Sequence, residues 1–244
     1  YMDLLESKDD VYLHGYTSAQ GSPATRQAIA EDLNRRYGTS FRADNFYMTC
    51  GAAASLRIIL GALVTPGCGE EIITFTPFFP EYRVFAEAAG GTLVPSVSGP
   101  DTFQIDFDLL KKAITPATKA LIVNSPNNPS GVVYSDETMR QLADFLRQKE
   151  QEYGHDIFLI SDEPYREIVF DGREVPYPSR FYDNTLSCYS FSKSLSLPGE
   201  RIGYVAVHPN ATDADILAIM FGQISRGIGH NCPSSSVQQA VARV

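Results

Sequence analysis

Apolar and polar positions alternate along the chain between two rhythms. Short runs dense in apolar residues, "NFYMTCG", "EEIITFTP", "KALIVNSP", "DIFLISDEPY" and "IGYVAVHP", read as strands, of the kind a buried parallel sheet contains. "TLVPSV" and "TLSCYSFS" read as two more. Between them lie segments whose apolar residues recur three and four apart, the helical spacing: "AAASLRIILGALV", "EYRVFAEAAGG", "DFDLLKKAI" and "SDETMRQLADFLRQKEQEYG". The last is the clearest. Ser135 caps it, Asp136 and Glu137 suit its first turn, Met139, Leu142, Phe145 and Leu146 line one face, and Gly154 ends it. "TDADILAIMFGQI" is predicted helical with Thr212 and Asp215 in capping-box spacing. "CPSSSVQQAVARV" is predicted to be a serine-capped helix with Val237, Ala240, Val241 and Val244 on one face, and it reaches residue 244 with no Gly or Pro stop signal.

Near-continuous apolar strands alternating with amphipathic helices predict an α/β fold: three layers, α/β/α, around a mostly parallel central sheet. Ligands in such sheets sit beyond the carboxyl ends of the strands. That rule directs attention to Gly51, to Asn124 through Gly131, to Ser161 through Tyr165, and to Ser190 through Lys193.

Composition narrows the choice. With 244 residues, 43% of them hydrophobic and 20% charged, the chain can bury one sizeable core. Its formal net charge of -9 and its lack of a Lys/Arg block argue against a nucleic-acid face or an anionic membrane surface as partner. No apolar run is long enough to span a bilayer. Cys50, Cys68, Cys188 and Cys232 match no zinc or C-x-x-C spacing and are expected to be free thiols in a reducing cytoplasm. The scattered histidines offer no metal site.

The strand ends carry chemistry. Lys193 directly follows a strand, where a desolvated amine becomes a nucleophile for carbonyls. Asp162 ends a strongly apolar strand and needs a hydrogen-bonding or cationic partner, for which a heterocyclic N–H⁺ is suited. In "NSPNNPSG", Asn128 offers an amide to a ligand oxygen. In "TCGAAAS", the small residues Gly51, Ala52 and Ala53 let an anion approach the first-turn amides of a helix, and Ser190 and Arg201 could complete such a site. "TPFFPEY" supplies Phe78, Phe79 and Tyr82 as faces for a flat ring. Singly, each has an ordinary explanation in turns, surface charge or core packing. Together they are the parts needed to hold pyridoxal 5′-phosphate.

Through "SFSKSLSLPGERIGY", "NSPNNPSG" and "SDEPY", in that family's order along nearly the whole chain, the sequence resembles the fold-type I, class I/II aminotransferases, the aspartate aminotransferase-like proteins. The resemblance implies an enzyme that moves an amino group between an L-amino acid and a 2-oxo acid through a Schiff base on Lys193. It implies that Asp162 pairs with the pyridine nitrogen, that Tyr165 and Asn128 bond the ring's 3′-oxygen, and that Phe79 stacks on the ring. Ser190, Arg201 and the amides of Ala52 and Ala53 are then phosphate ligands, beside Gly51. Tyr16, in "HGYTSAQGSPATRQAIAEDL", is implied to reach the phosphate of a neighbouring subunit, and hence a homodimer. Residues 1–244 are expected to form the cofactor-binding large domain, with 1–45 at the dimer interface and 229–244 starting a helix towards a C-terminal small domain. That domain, with the arginine that grips the substrate carboxylate, and an N-terminal arm are expected to lie outside the chain, so the chain by itself is expected to lack a complete substrate site. Two other functions use the same scaffold: β- or γ-elimination on the same cofactor, and the ligand-sensing module of a transcriptional regulator.

Overall fold

The computed structural model describes residues 2–7 and 10–244; Tyr1, Lys8 and Asp9, within the predicted 1–45 portion, lie outside the described residues. Seven strands form one sheet: β1 (Phe46–Thr49), β2 (Glu71–Phe75), β3 (Thr92–Ser96), β4 (Thr118–Asn124), β5 (Phe158–Asp162), β6 (Thr185–Ser190) and β7 (Gly203–Val207). Their order across the sheet is β1-β7-β6-β5-β4-β2-β3. Pairings from β6 to β3 are parallel, while β7 is antiparallel to both its neighbours, β6 and β1. One strand therefore runs against the rest. The carboxyl ends of β1, β4, β5 and β6 all reach one edge, and the amino end of β7, with Arg201 just before it, meets them there.

The helices are α1 (Met2–Ser7), α2 (Asp10–His14), α3 (Pro23–Tyr37), α4 (Ala52–Leu63), α5 (Glu81–Ala88), α6 (Phe107–Ala113), α7 (Asp136–Tyr153), α8 (Phe191–Ser194), α9 (Ala214–Gly227) and α10 (Ser235–Val241). The six predicted from the sequence, α4 to α7, α9 and α10, form close to their signals, whereas the last two residues of "TLSCYSFS", predicted as strand, belong to the helix α8. The side-chain oxygen of Ser135 accepts the Thr138 N–H at the start of α7, and Gly154 closes it in the left-handed region at φ 75°. Alternation along each strand divides the core between two layers. Ile160, Cys188 and Val205 pack with Leu56 and Ile59 of α4 and Phe221 of α9. On the other face, Leu121, Val123 and Leu159 meet Leu142 and Leu146 of α7, while Tyr204 and Ala206 meet Leu33 of α3 and Val241 of α10.

Three local expectations fail. The capping box at α9 does not form, because Asp213 occupies the cap in a left-handed conformation and makes no side-chain cap bond. Thr212 is drawn away: its hydroxyl donates to Asp156 at 3.1 Å and its N–H to Asn184 Oδ1 at 2.8 Å. At α10, Ser234 caps without a side-chain bond to the helix. Val237 and Val241 are buried as expected, but Val244 lies past the helix end and is 89% exposed. The two ends of the chain pack together: Gln238 Oε1 accepts the Ser22 N–H at 2.7 Å, and Gln239 Nε2 donates to the Tyr12 carbonyl at 2.9 Å.

Candidate functional site

A cleft of about 290 Å³ opens at the edge where the strand ends converge. Ala52, Ala53, Phe79, Asn128, Asp162, Tyr165, Ser190, Lys193 and Arg201 line it, so nine of the eleven residues that the family resemblance implies for the site meet in one place. Gly51 lies just behind this lining. Tyr16 is not among its lining residues and is 98% exposed.

Asp162 is the last residue of β5 and is buried, at 5% exposure. Its Oδ2 accepts a hydrogen bond from the Tyr82 hydroxyl at 2.6 Å, while its Oδ1 is buried with no partner. Burial is the main cause that raises the carboxyl to about 7; the Glu163 charge adds to the rise, and the Tyr82 hydrogen bond opposes it. A protonated heterocyclic nitrogen at Oδ1 would supply the missing donor and a compensating charge, so this carboxylate fits the ring-nitrogen end of pyridoxal phosphate.

The loop after β4 is tied to the same point. Asn124 Nδ2 donates to the Asp162 carbonyl at 2.8 Å, and Asn124 Oδ1 accepts the Asn128 N–H at 2.7 Å. The Asn128–Pro129 peptide is cis. Burial and the Asp162 charge raise the Tyr165 hydroxyl above its ordinary value, and hydrogen bonding with Asn128 works against them.

Lys193 sits in the one-turn helix α8, begun by Ser190, whose Oγ accepts the Ser192 N–H at 3.2 Å. Its Nζ lies 6.0 Å from the centre of the Tyr165 ring. The sequence expectation of a desolvated amine is corrected here: Lys193 stands exposed in the mouth of the open cleft.

The end of the cleft expected to take an anion is built from close approaches. The amides of Ala52 and Ala53 open α4 and have no carbonyl one turn back to bond. Gly51 adopts φ 89°, and a Cβ built there would lie 2.8 Å from Arg201 Nη2. Arg201 Nη1 donates to the Pro198 carbonyl at 2.9 Å and Nη2 to the Cys50 carbonyl at 3.3 Å, which aligns the guanidinium beside the first turn of α4. A Cβ at Gly203 would meet the Tyr189 carbonyl at 2.3 Å and Gly51 Cα at 3.1 Å. Small residues, free amides, a hydroxyl and a guanidinium at one helix start suit a phosphate.

Tyr82 departs from its sequence reading. It is no stacking face: it is 1% exposed, its ring edge meets Phe79 at 5.8 Å, and its hydroxyl engages Asp162. Phe78 likewise packs against the core. Asn124 and Ser192 were missed as organisers. Only the spacing of Tyr82, one helical turn after Phe79, could have pointed to its inward direction.

A larger cleft of about 680 Å³ lies between α3, α10 and the turn after β5. Several of its charges are paired: Arg36 with Glu167 at 3.1 Å, and Arg166 with Glu163 at 2.7 Å and Glu167 at 3.2 Å. Among the described residues no cluster of His, Cys, Asp and Glu could hold a metal.

The family model described as Aminotransferase class I and II matches residues 4–244. A probable aspartate/prephenate aminotransferase of Thermus aquaticus is 34% identical over 190 residues, which cover 78% of this chain and 48% of that protein. An arginine–pyruvate transaminase of Pseudomonas aeruginosa is 34% identical over 214 residues, 85% of this chain and 52% of that one. Among solved structures, an amino transferase from Eubacterium rectale superimposes with a TM-score of 0.96 at 53% identity, covering 99% of this chain and 60% of that one. The aromatic aminotransferase of Pyrococcus horikoshii gives 0.84 at 29% identity, covering 96% and 60%. The chain thus spans about half the length of the curated relatives it matches.

Proposed function

The chain belongs to the class I and II aminotransferases, and on that premise we propose that it carries the cofactor site of a pyridoxal phosphate-dependent aminotransferase acting on an L-amino acid and a 2-oxo acid. The observation that carries this reading is a single cleft lined by both an amine, Lys193, and a buried carboxylate, Asp162, with one oxygen unpartnered. The family uses pyridoxal phosphate, which when bound supplies an aldehyde for amines and a protonated ring that accepts electrons. Asp162 Oδ1 holds the proton on the ring nitrogen. Tyr165 and Asn128 donate to the ring hydroxyl oxygen, and Phe79 covers one ring face. The amides of Ala52 and Ala53 beside Gly51, the Ser190 hydroxyl and Arg201 hold the phosphate. Lys193 Nζ would be the base that takes the proton from the substrate α-carbon, a contribution of roughly 10²–10⁴-fold for a well-placed base.

The site is completed by a second copy of the chain, whose exposed Tyr16 reaches the phosphate across a homodimer interface. Four free thiols suit a reducing cytoplasm, and no helix among the described residues is long and apolar enough to cross a membrane. Transfer is favoured over elimination or ligand sensing because the relatives' names are those of aminotransferases.

Incubation with pyridoxal phosphate followed by borohydride tests the reading. Peptide mass spectrometry is expected to find the reduced cofactor on Lys193, and none after Lys193→Ala. Label on other lysines alone, or no label, overturns it. In the whole protein, release of a 2-oxo acid should depend on an acceptor 2-oxo acid; steady release of pyruvate and ammonia without one marks elimination instead.

A further inference from the structure

Asp162 has two oxygens in unlike surroundings, and the difference is made by Tyr82. The Tyr82 hydroxyl donates to Oδ2 at 2.6 Å, while Oδ1 is buried and bare. Tyr82 reaches this point from the first turn of α5, and Asp162 from the end of β5, so the bond joins a helix to the centre of the sheet. Burial and the Asp162 charge push the Tyr82 phenol well above its ordinary range, which keeps its proton in place and makes it the donor. The ring is fixed independently of the hydroxyl, by its edge-on contact with Phe79 and its stacking with Phe78 at 6.4 Å.

We propose that Tyr82 is a positioning residue for Asp162: by occupying Oδ2 it fixes the carboxyl plane, reserves Oδ1 for the ring nitrogen of the cofactor, and keeps the carboxyl ionised so that the shared proton stays on the ring. The inference rests on the reading that pyridoxal phosphate occupies this cleft. Chemistry demands such a group. A buried carboxyl that is too basic takes the proton from a pyridine nitrogen and leaves the ring neutral. A donor to the ionised form counteracts that tendency. Other ionisable groups around Asp162 act differently. Glu163 follows it in the chain and raises it, and Cys188, paired with it on β6, keeps its proton because burial pushes the thiol up. Tyr165, Glu81, Lys193 and Arg201 face it across the open cleft. Tyr82 alone among them has a hydrogen bond to the carboxylate.

The test compares wild type with Tyr82→Phe by two NMR readouts. In the cofactor-free chain, the carbon signal of the Asp162 carboxyl, assigned with Asp162→Asn, is expected to titrate with an acid constant about tenfold smaller in the variant. In the chain loaded with ring-labelled pyridoxal phosphate, the nitrogen signal is expected to move from the protonated towards the neutral value. Difluorotyrosine at position 82, a stronger donor of the same shape, should move both signals the opposite way, and it keeps the test decisive if the Phe variant folds poorly. A wild type with a protonated ring nitrogen that neither substitution moves overturns the role of Tyr82 alone. A wild type that binds no cofactor overturns this proposal together with the reading on which it rests.

Discussion

A buried carboxylate with one bonded oxygen and one bare oxygen is costly until something charged arrives. For Asp162 the cost has a pH signature. Its folded-state value, about 7, lies above the ordinary 3.8, so between these limits the folded cofactor-free chain binds more protons than the unfolded chain. Stability is then fully present below about pH 4 and is lost as pH rises towards 7, by on the order of 4 kcal/mol at the upper limit. Urea unfolding at several pH values should show that wild type loses stability relative to Asp162→Asn across this window; parallel curves would count against the burial assigned to this carboxyl. At Gly203 the cost is steric. A Cβ there would lie 2.3 Å from the Tyr189 carbonyl, a backbone atom that cannot swing aside. Gly203→Ala should therefore destabilise by about 3 kcal/mol or more, measured as a fall in Tm. Residue identity was legible where chemistry left one role, as with Asp162 at the end of an apolar strand. It was not legible for Tyr82, because an aromatic residue gives the same sequence signal whether it faces a ligand or lends its hydroxyl to a neighbour.

Elements whose local signals agreed with their packing were readable to within a residue or two. In α7, cap, acidic first turn, apolar stripe and terminal glycine all point the same way, and the helix spans Asp136–Tyr153. Ser135→Ala should cost about 1 kcal/mol, and Leu142→Ala, at a fully buried position, about 3 kcal/mol; chemical denaturation measures both, and equal losses would contradict this division between cap and core. Where a competing partner existed, the local signal failed. The Thr212 hydroxyl has a better acceptor in Asp156 than any cap geometry offers, so the expected box gave way. The turn after β5 holds a different kind of element, a guanidinium enclosed by three tyrosines. Arg166 lies 4.5, 5.5 and 5.6 Å from the ring centres of Tyr189, Tyr37 and Tyr177, and pairs with buried Glu163. Arg166→Leu should cost about 3–5 kcal/mol because it strands the Glu163 carboxylate. Tyr189, which donates to Glu167 at 2.8 Å and lies 2.7 Å from Ser194, carries this network to the residue beside Lys193. No sequence pattern announced it, since the tyrosines that enclose Arg166 come from distant parts of the chain and are individually unremarkable.

At the level of the whole molecule, alternation of strands and helices was enough to foresee the layered architecture and the edge that bears the site. The direction of β7 was not foreseeable, because an apolar strand reads alike in either direction. The same reversed strand sets when the sheet can be completed. Phe46 of β1 pairs with Ala206 of β7, across most of the length of the chain, and the turn at Gly51 leans on Gly203. During synthesis the first strand must wait for the last. A nascent chain arrested before Gly203 is expected to leave β1 undocked and to be cut readily by protease near Phe46, however well β2 to β6 have already assembled. If the cleft holds pyridoxal phosphate as proposed, its capture is expected only after β7 has joined the sheet, and the appearance of bound cofactor would time that event.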